Sequence, residues 1–198
     1  MKKRTFLTAF IVPVILLQGC IAVSVSTHPV NSGYLRLSEE DREWIVFSDT
    51  AASVCSIEKE GKKIHAITGA QLRQCVEAEE KAMVLLWRPS GSGYYSLAYA
   101  QSYCDSLKMT LYVVAREYDS VTRMYYEQAA ISKPMFSINE KACGTPGRGS
   151  SYNRSFVDEL IKEQEVTDKQ RQELHYNNRF LFFENGKLTS FSDTLTPQ

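Results

Sequence analysis

The chain has no excess of either charge. Its 23 lysines and arginines meet 23 aspartates and glutamates, which leaves no basic footprint for nucleic acid. Its three histidines, His28, His65 and His175, lie too far apart for metal-ligand spacing, so they read as surface side chains and no metal is expected. A Gly-x-Ser-x-Gly elbow is missing, and no paired carboxylates stand out. Gly91-Ser92-Gly93, with Arg88 nearby, invites an anion-binding reading, but it lacks the third glycine and the downstream acid of a dinucleotide fingerprint, and no cofactor is expected. There is no internal repeat and no second long apolar run beyond the N-terminal one, so nothing else is long enough to cross a bilayer. The most informative lack is local: no cysteine occurs between Cys75 and Cys104.

The N-terminus supplies what the rest lacks. Lys2-Lys3-Arg4 precedes an apolar run, Phe6 to Leu17, broken only by Thr8 and Pro13. Twelve helical residues reach roughly 18 Å, short of a hydrocarbon core of about 30 Å, so the run reads as a signal segment rather than a permanent span. Leu17-Gln18-Gly19-Cys20 resembles the lipobox of bacterial lipoproteins, although Gln18 is bulkier than the usual occupant. The resemblance implies cleavage before Cys20, lipidation of its thiol and a stable membrane anchor. Ile21 follows the cysteine rather than an aspartate, which by the same analogy favours the outer membrane, facing the periplasm. Without the three basic residues of the leader the body is mildly acidic, 20 basic against 23 acidic residues.

Residues 20–37 read as a tether, and 38–198 as one domain whose regular core covers about 64–191. Ser38 followed by Glu39-Glu40-Asp41 has the form of a helix start. Thr68 to Glu80 has amphipathic spacing, and Ala82 to Trp87 is an apolar run suited to a strand buried on both faces. Tyr94 to Leu107 forms a helical stripe through Leu97, Ala100, Cys104 and Leu107. Thr110 to Ala115 predicts a second buried strand, Ser120 to Ala130 a helix, Pro134 to Ile138 a short strand and Tyr152 to about Gln164 a helix. Lys162 to Arg171 is dense in charge and reads as a solvated face. Two apolar segments around Asn185-Gly186 predict a hairpin. The order implies an α/β sandwich, a central mixed sheet with helices on both faces, its first two strands parallel.

That order is similar to the thioredoxin fold. Val84 to Pro89 (VLLWRP) looks like the Trp-ending strand before the redox loop, and Pro134, 43 residues after Gly91, is placed like the family's cis-proline. The closing segment Phe180 to Leu188 resembles the last hairpin. An extra helix intervenes, so the alternative is that Phe180 to Phe183 is the proline-bearing strand and its proline is missing. Aligned on Trp87, the family's two redox cysteines fall on Gly91 and Tyr94, which excludes disulfide exchange at this loop.

Four cysteines remain after Cys20, with three possible pairings. An antiparallel Pro134 strand would end near the C-terminal end of the Cys104 helix, which suggests Cys104–Cys143 and leaves Cys55–Cys75. The alternative is Cys104 as a buried free thiol. Tyr94, Tyr95 and Tyr118 should lie beyond the carboxyl ends of the parallel strands, where ligands bind, and the Lys133–Pro134 peptide should reach the same pole. Packing at the core edge is the competing role for the tyrosines. The expected function is a membrane-anchored, redox-inactive thioredoxin-like module that binds a protein or peptide in the envelope. The alternative is an envelope thiol-disulfide oxidoreductase using its separated cysteines.

Overall fold

The computed structural model describes residues 33–88, 95–118, 121–143, 151–176 and 179–195. Cys20, the tether up to residue 32 and Tyr94 lie outside the described residues. Among these residues no helix is long and apolar enough to cross a membrane.

Seven strands form one mixed sheet: β1 (Ile45–Phe47), β2 (Ile64–Ile67), β3 (Lys81–Trp87), β4 (Thr110–Ala115), β5 (Phe136–Ile138), β6 (Phe180–Glu184) and β7 (Lys187–Ser192). Their order is β1-β2-β5-β4-β3-β6-β7. The first five are mutually parallel, and β6 and β7 add an antiparallel hairpin beside β3. The hairpin turn is Asn185-Gly186, with φ of 50° and 74°. Both values lie in the left-handed region that this dipeptide tolerates best, so the turn chemistry fixes the hairpin.

Helices cover both faces. Short turns α1 (Gly33–Arg36) and α2 (Glu39–Arg42, capped by Ser38) lead in. Then come α3 (Gly69–Glu77), α4 (Leu97–Ser106), α5 (Val121–Glu127), α6 (Ser151–Leu160) and α7 (Asp168–Tyr176). Thr68 and Gln71 form a reciprocal capping box that starts α3. Strand β3 shows how the two faces divide: Ala82, Val84 and Leu86 join α3, α6 and α7, whereas Met83, Leu85 and Trp87 join α4 and α5. The alternation is the two-residue period of a strand buried on both sides. From β2 to β3 the chain moves one way across the sheet with α3 on one face. From β3 through β4 to β5 it moves back with α4 and α5 on the other. Right-handed crossovers require this switch of face with direction.

Glycine decides one packing contact. A Cβ on Gly69 would lie 1.9 Å from the Phe156 carbonyl oxygen and 2.8 Å from the Leu160 nitrogen. Only glycine lets the first turn of α3 approach the backbone of α6 this closely. The Glu159 carboxylate accepts from the Gly69 amide at 3.0 Å and fastens the same junction.

Two expectations are overturned. The strand after Pro134 runs parallel to both neighbours, β2 and β4, and lies between them. Its entry therefore lies at the opposite pole from the β3 and β4 ends. Strand β6 takes the antiparallel position beside β3, and it is preceded by Arg179 rather than proline. The described residues contain no cis peptide bond, so Pro134 is trans. The disulfide expectation divides. Cys55–Cys75 forms and ties the 48–63 connection to α3. Cys104 and Cys143 are free, because Cys104 packs on the α4 face of the sheet and Cys143 on the α6 face.

Candidate functional site

The carboxyl ends of the parallel strands form one pole of the domain. There the chain leaves β4 for α5 on one face, while its neighbour β5 leads on to α6 on the other. Ligands of open α/β sheets bind where neighbouring strands diverge in this way. Polar groups join the strand ends here. The Tyr118 hydroxyl donates to the Ile138 carbonyl at 2.7 Å, and Ser137 donates to the Tyr118 oxygen at 3.3 Å. On the α6 side, Tyr152 donates to the Arg116 carbonyl at 3.0 Å, and Arg116 Nε donates to Asn153 Oδ1 at 3.2 Å.

Arginine ends three adjacent strands here. Arg88 follows β3, Arg116 follows β4 and Arg179 precedes β6. The backbone sets them side by side: the Arg116 amide donates to the Trp87 carbonyl at 2.9 Å, and the Leu86 amide donates to the Arg179 carbonyl at 2.7 Å. Arg88 Nε lies 3.7 Å from a Glu117 oxygen, a loose, partly exposed pair. The Arg116 guanidinium is held below its ordinary pKa, first by burial and then by the neighbouring charge of Arg88; Glu117 opposes both, and Arg179 adds to the repulsion.

Among the described residues, those expected to bind a ligand do not assemble. Tyr118 is 2% exposed and belongs to the core, and burial raises its hydroxyl pKa far above the ordinary tyrosine range. Tyr95 is half-buried, its ring 4.8 Å from Phe180 and its carbonyl accepting from the Trp87 indole. Lys133 and Pro134 stand at the other pole, where the Lys133 ammonium is 3.9 Å from Glu79. Glu79 also accepts from Thr110 and Tyr112 there. A cleft of about 440 Å³ lies toward that far pole, between the end of α4 and the hairpin, walled by Tyr103, Met109 and Phe182. Sequence reasoning passed over Arg116, Arg179, Tyr152 and Asn153. The available signal was an arginine directly abutting each apolar run, in LLWR, VVAR and RFLFF.

The free thiols are poor nucleophiles. Cys104 is fully buried, and burial pushes its pKa up to about 12. Cys143 is 2% exposed; burial, and then the nearby Glu159 carboxylate, push it up to about 12. A thiol protonated at neutral pH and closed to solvent neither attacks disulfides nor binds metal. Among the described residues no cluster of histidine, cysteine and acid could hold a metal ion. No protein-family model, no curated protein and no solved structure matches the chain.

Proposed function

We propose that the chain is an exported lipoprotein, cut before Cys20 and held by lipid to the outer membrane facing the periplasm. Its domain is a thioredoxin-like fold without redox chemistry, which binds a protein or peptide of the cell envelope at the carboxyl pole of its parallel strands. One observation carries this reading: the pole where a thioredoxin would present thiols presents arginines, while both free thiols are sealed on opposite faces of the sheet. The consecutive order β4-β3-β6-β7 supports the kinship, with β6 taking the antiparallel place and Arg179 standing where the proline would. The Cys55–Cys75 bridge suits an oxidising compartment, and Leu17-Gln18-Gly19-Cys20 supports the anchor.

Two measurements test the reading. Labelled fatty acid should enter the wild-type chain and not Cys20→Ala, which should be released or left unprocessed; no label in wild type ends the anchor claim. A photo-crosslinking residue placed at Arg88 should trap one defined partner in intact envelopes, and the same residue at Lys108, on the turn before β4, should not. Equal trapping at both positions contradicts a binding pole.

A further inference from the structure

Toward the entry end of β5, α5 runs into a 3₁₀ turn, Gln128–Ala130, that packs beside the 48–63 connection. A cavity of about 300 Å³ opens there, lined by Lys59, Gly61, Tyr125, Tyr126 and Gln128. That volume is at the small end of ligand sites. Tyr126 presents an open ring: it is 69% exposed, and its ring centre lies 5.2 Å from that of Tyr125. Tyr125 is held in turn edge-on by Trp44 at 5.6 Å. The Lys62 ammonium lies 4.2 Å from the centre of the Trp44 ring and 5.7 Å from that of Tyr125. Gln128 is the unusual member. It is 4% exposed, yet among the described residues its carboxamide oxygen has no hydrogen-bond partner. A buried acceptor left unpaired is costly, and native structures keep few of them. Beside it, the Lys59 ammonium donates to the Ile131 carbonyl at 2.5 Å and lies 3.5 Å from the Gln128 backbone carbonyl.

We infer that this cavity binds a neutral saccharide ring. The unpaired Gln128 oxygen needs a donor, which an ionised carboxylate lacks. Lys62 already covers the aromatic cluster, so the rings are not a vacant cage for a second ammonium. A hydroxyl both donates and accepts. One sugar oxygen donates to Gln128 and accepts from Lys59, whose ammonium has three donors and two carbonyls near it. The last torsion of glutamine is soft, so the carboxamide turns its oxygen toward a donor entering the cavity. The C–H face of a pyranose is flat and apolar, and it packs against the open ring of Tyr126. This site lies apart from the proposed binding pole, so sugar binding and partner capture at Arg88 stand or fall separately.

The test titrates the full chain, in a polyoxyethylene detergent that carries no sugar, with cellobiose and with N,N′-diacetylchitobiose. Choline and N-acetylglycinamide serve as the cationic and amide controls, and saturation-transfer NMR reads direct contact. The expected result is saturable binding of at least one sugar, with transfer to its ring C–H protons and neither control binding as well. Tyr126→Ala should weaken sugar binding about tenfold or more without moving the thermal midpoint, because the side chain is exposed. Tyr99→Ala, at an exposed tyrosine on α4, should leave binding unchanged. Gln128→Leu should weaken binding at least about fivefold while the midpoint holds or rises, since it removes the unpaired acceptor. A merely structural glutamine would instead lower the midpoint and leave sugar affinity intact. Binding of neither sugar, a control that binds as well as the sugars, or full sugar affinity in Tyr126→Ala would overturn the assignment.

Discussion

Reduction of Cys55–Cys75 is a demanding test of how the 48–63 connection is held. That segment joins β1 to β2 in parallel without a helix of its own. Its tertiary ties include the disulfide, the buried Val54, the Lys59 ammonium, which donates to the Ile131 carbonyl at 2.5 Å, and the Gln71 amide, which donates to the Asp49 and Ala52 carbonyls at 2.8 and 2.9 Å. The bridge closes a loop with a sequence separation of 20 residues. Chain entropy for a loop of about 20 residues gives roughly −11 cal/mol/K in the unfolded state, or about 3 kcal/mol at 25 °C. For a domain of this size each kcal/mol moves the midpoint by about 2–4 °C, so reduction should lower it by about 6–12 °C. The assay is thermal unfolding of the full chain by circular dichroism, with and without reductant, reduction being verified by mass. Reduction keeps both sulfur atoms in place and so isolates the constraint from the packing. Amides of 48–63 should also exchange faster once reduced. An unchanged midpoint in verified reduced protein would mean that the unfolded chain gains nothing from release of the loop, and that the bridge does not hold the segment.

Other consequences follow from packing and titration. Gly69→Ala drives a methyl into the Phe156 carbonyl and should destabilise by about 3 kcal/mol or more, read in chemical denaturation. Tyr118→Phe leaves the Ile138 carbonyl without its donor and should cost about 1–3 kcal/mol, while partner crosslinking at Arg88 persists. Cys104 and Cys143 have folded pKa values raised from about 9 to about 12, so their stabilisation is complete below pH 9 and declines as pH rises toward 12. Each thiol contributes a slope of at most about 1.4 kcal/mol per pH unit there. Cys104→Ala with Cys143→Ala should flatten that part of the alkaline limb of a stability–pH curve, leaving what Tyr112 and Tyr118 add at higher pH.

Some of this structure is plain in the residues and some is not. The TLYVVA strand and the Asn-Gly hairpin are legible because a doubly buried strand and a type I′ turn leave strong local patterns. The direction of β5 is less plain, although the residues carry a usable signal. About twenty residues with a helix separate Ala115 from Phe136, the length of a parallel crossover rather than of an antiparallel return. That one reversal moves Lys133 and Pro134 to the far pole and carries Cys143 away from Cys104. Helix α7 is hidden in the sequence because it buries little beyond Leu174, so no apolar period marks it within a charged stretch. Strands β1 and β2 have three and four residues, too few for a pattern to stand out. The arginine row was invisible for another reason: it is made by neighbouring strand ends, and sequence alone does not say which strands are neighbours.

Catalysis of insulin reduction by dithiothreitol separates a domain that binds from one that exchanges disulfides. With thiols counted in parallel, turnover should be no faster than in buffer, the native mature protein should show no rapidly reacting thiol, and denaturation without reductant should expose two thiols, Cys104 and Cys143. Insulin reduction well above background, abolished by Cys104→Ala or Cys143→Ala, would contradict binding without exchange and make the protein an oxidoreductase.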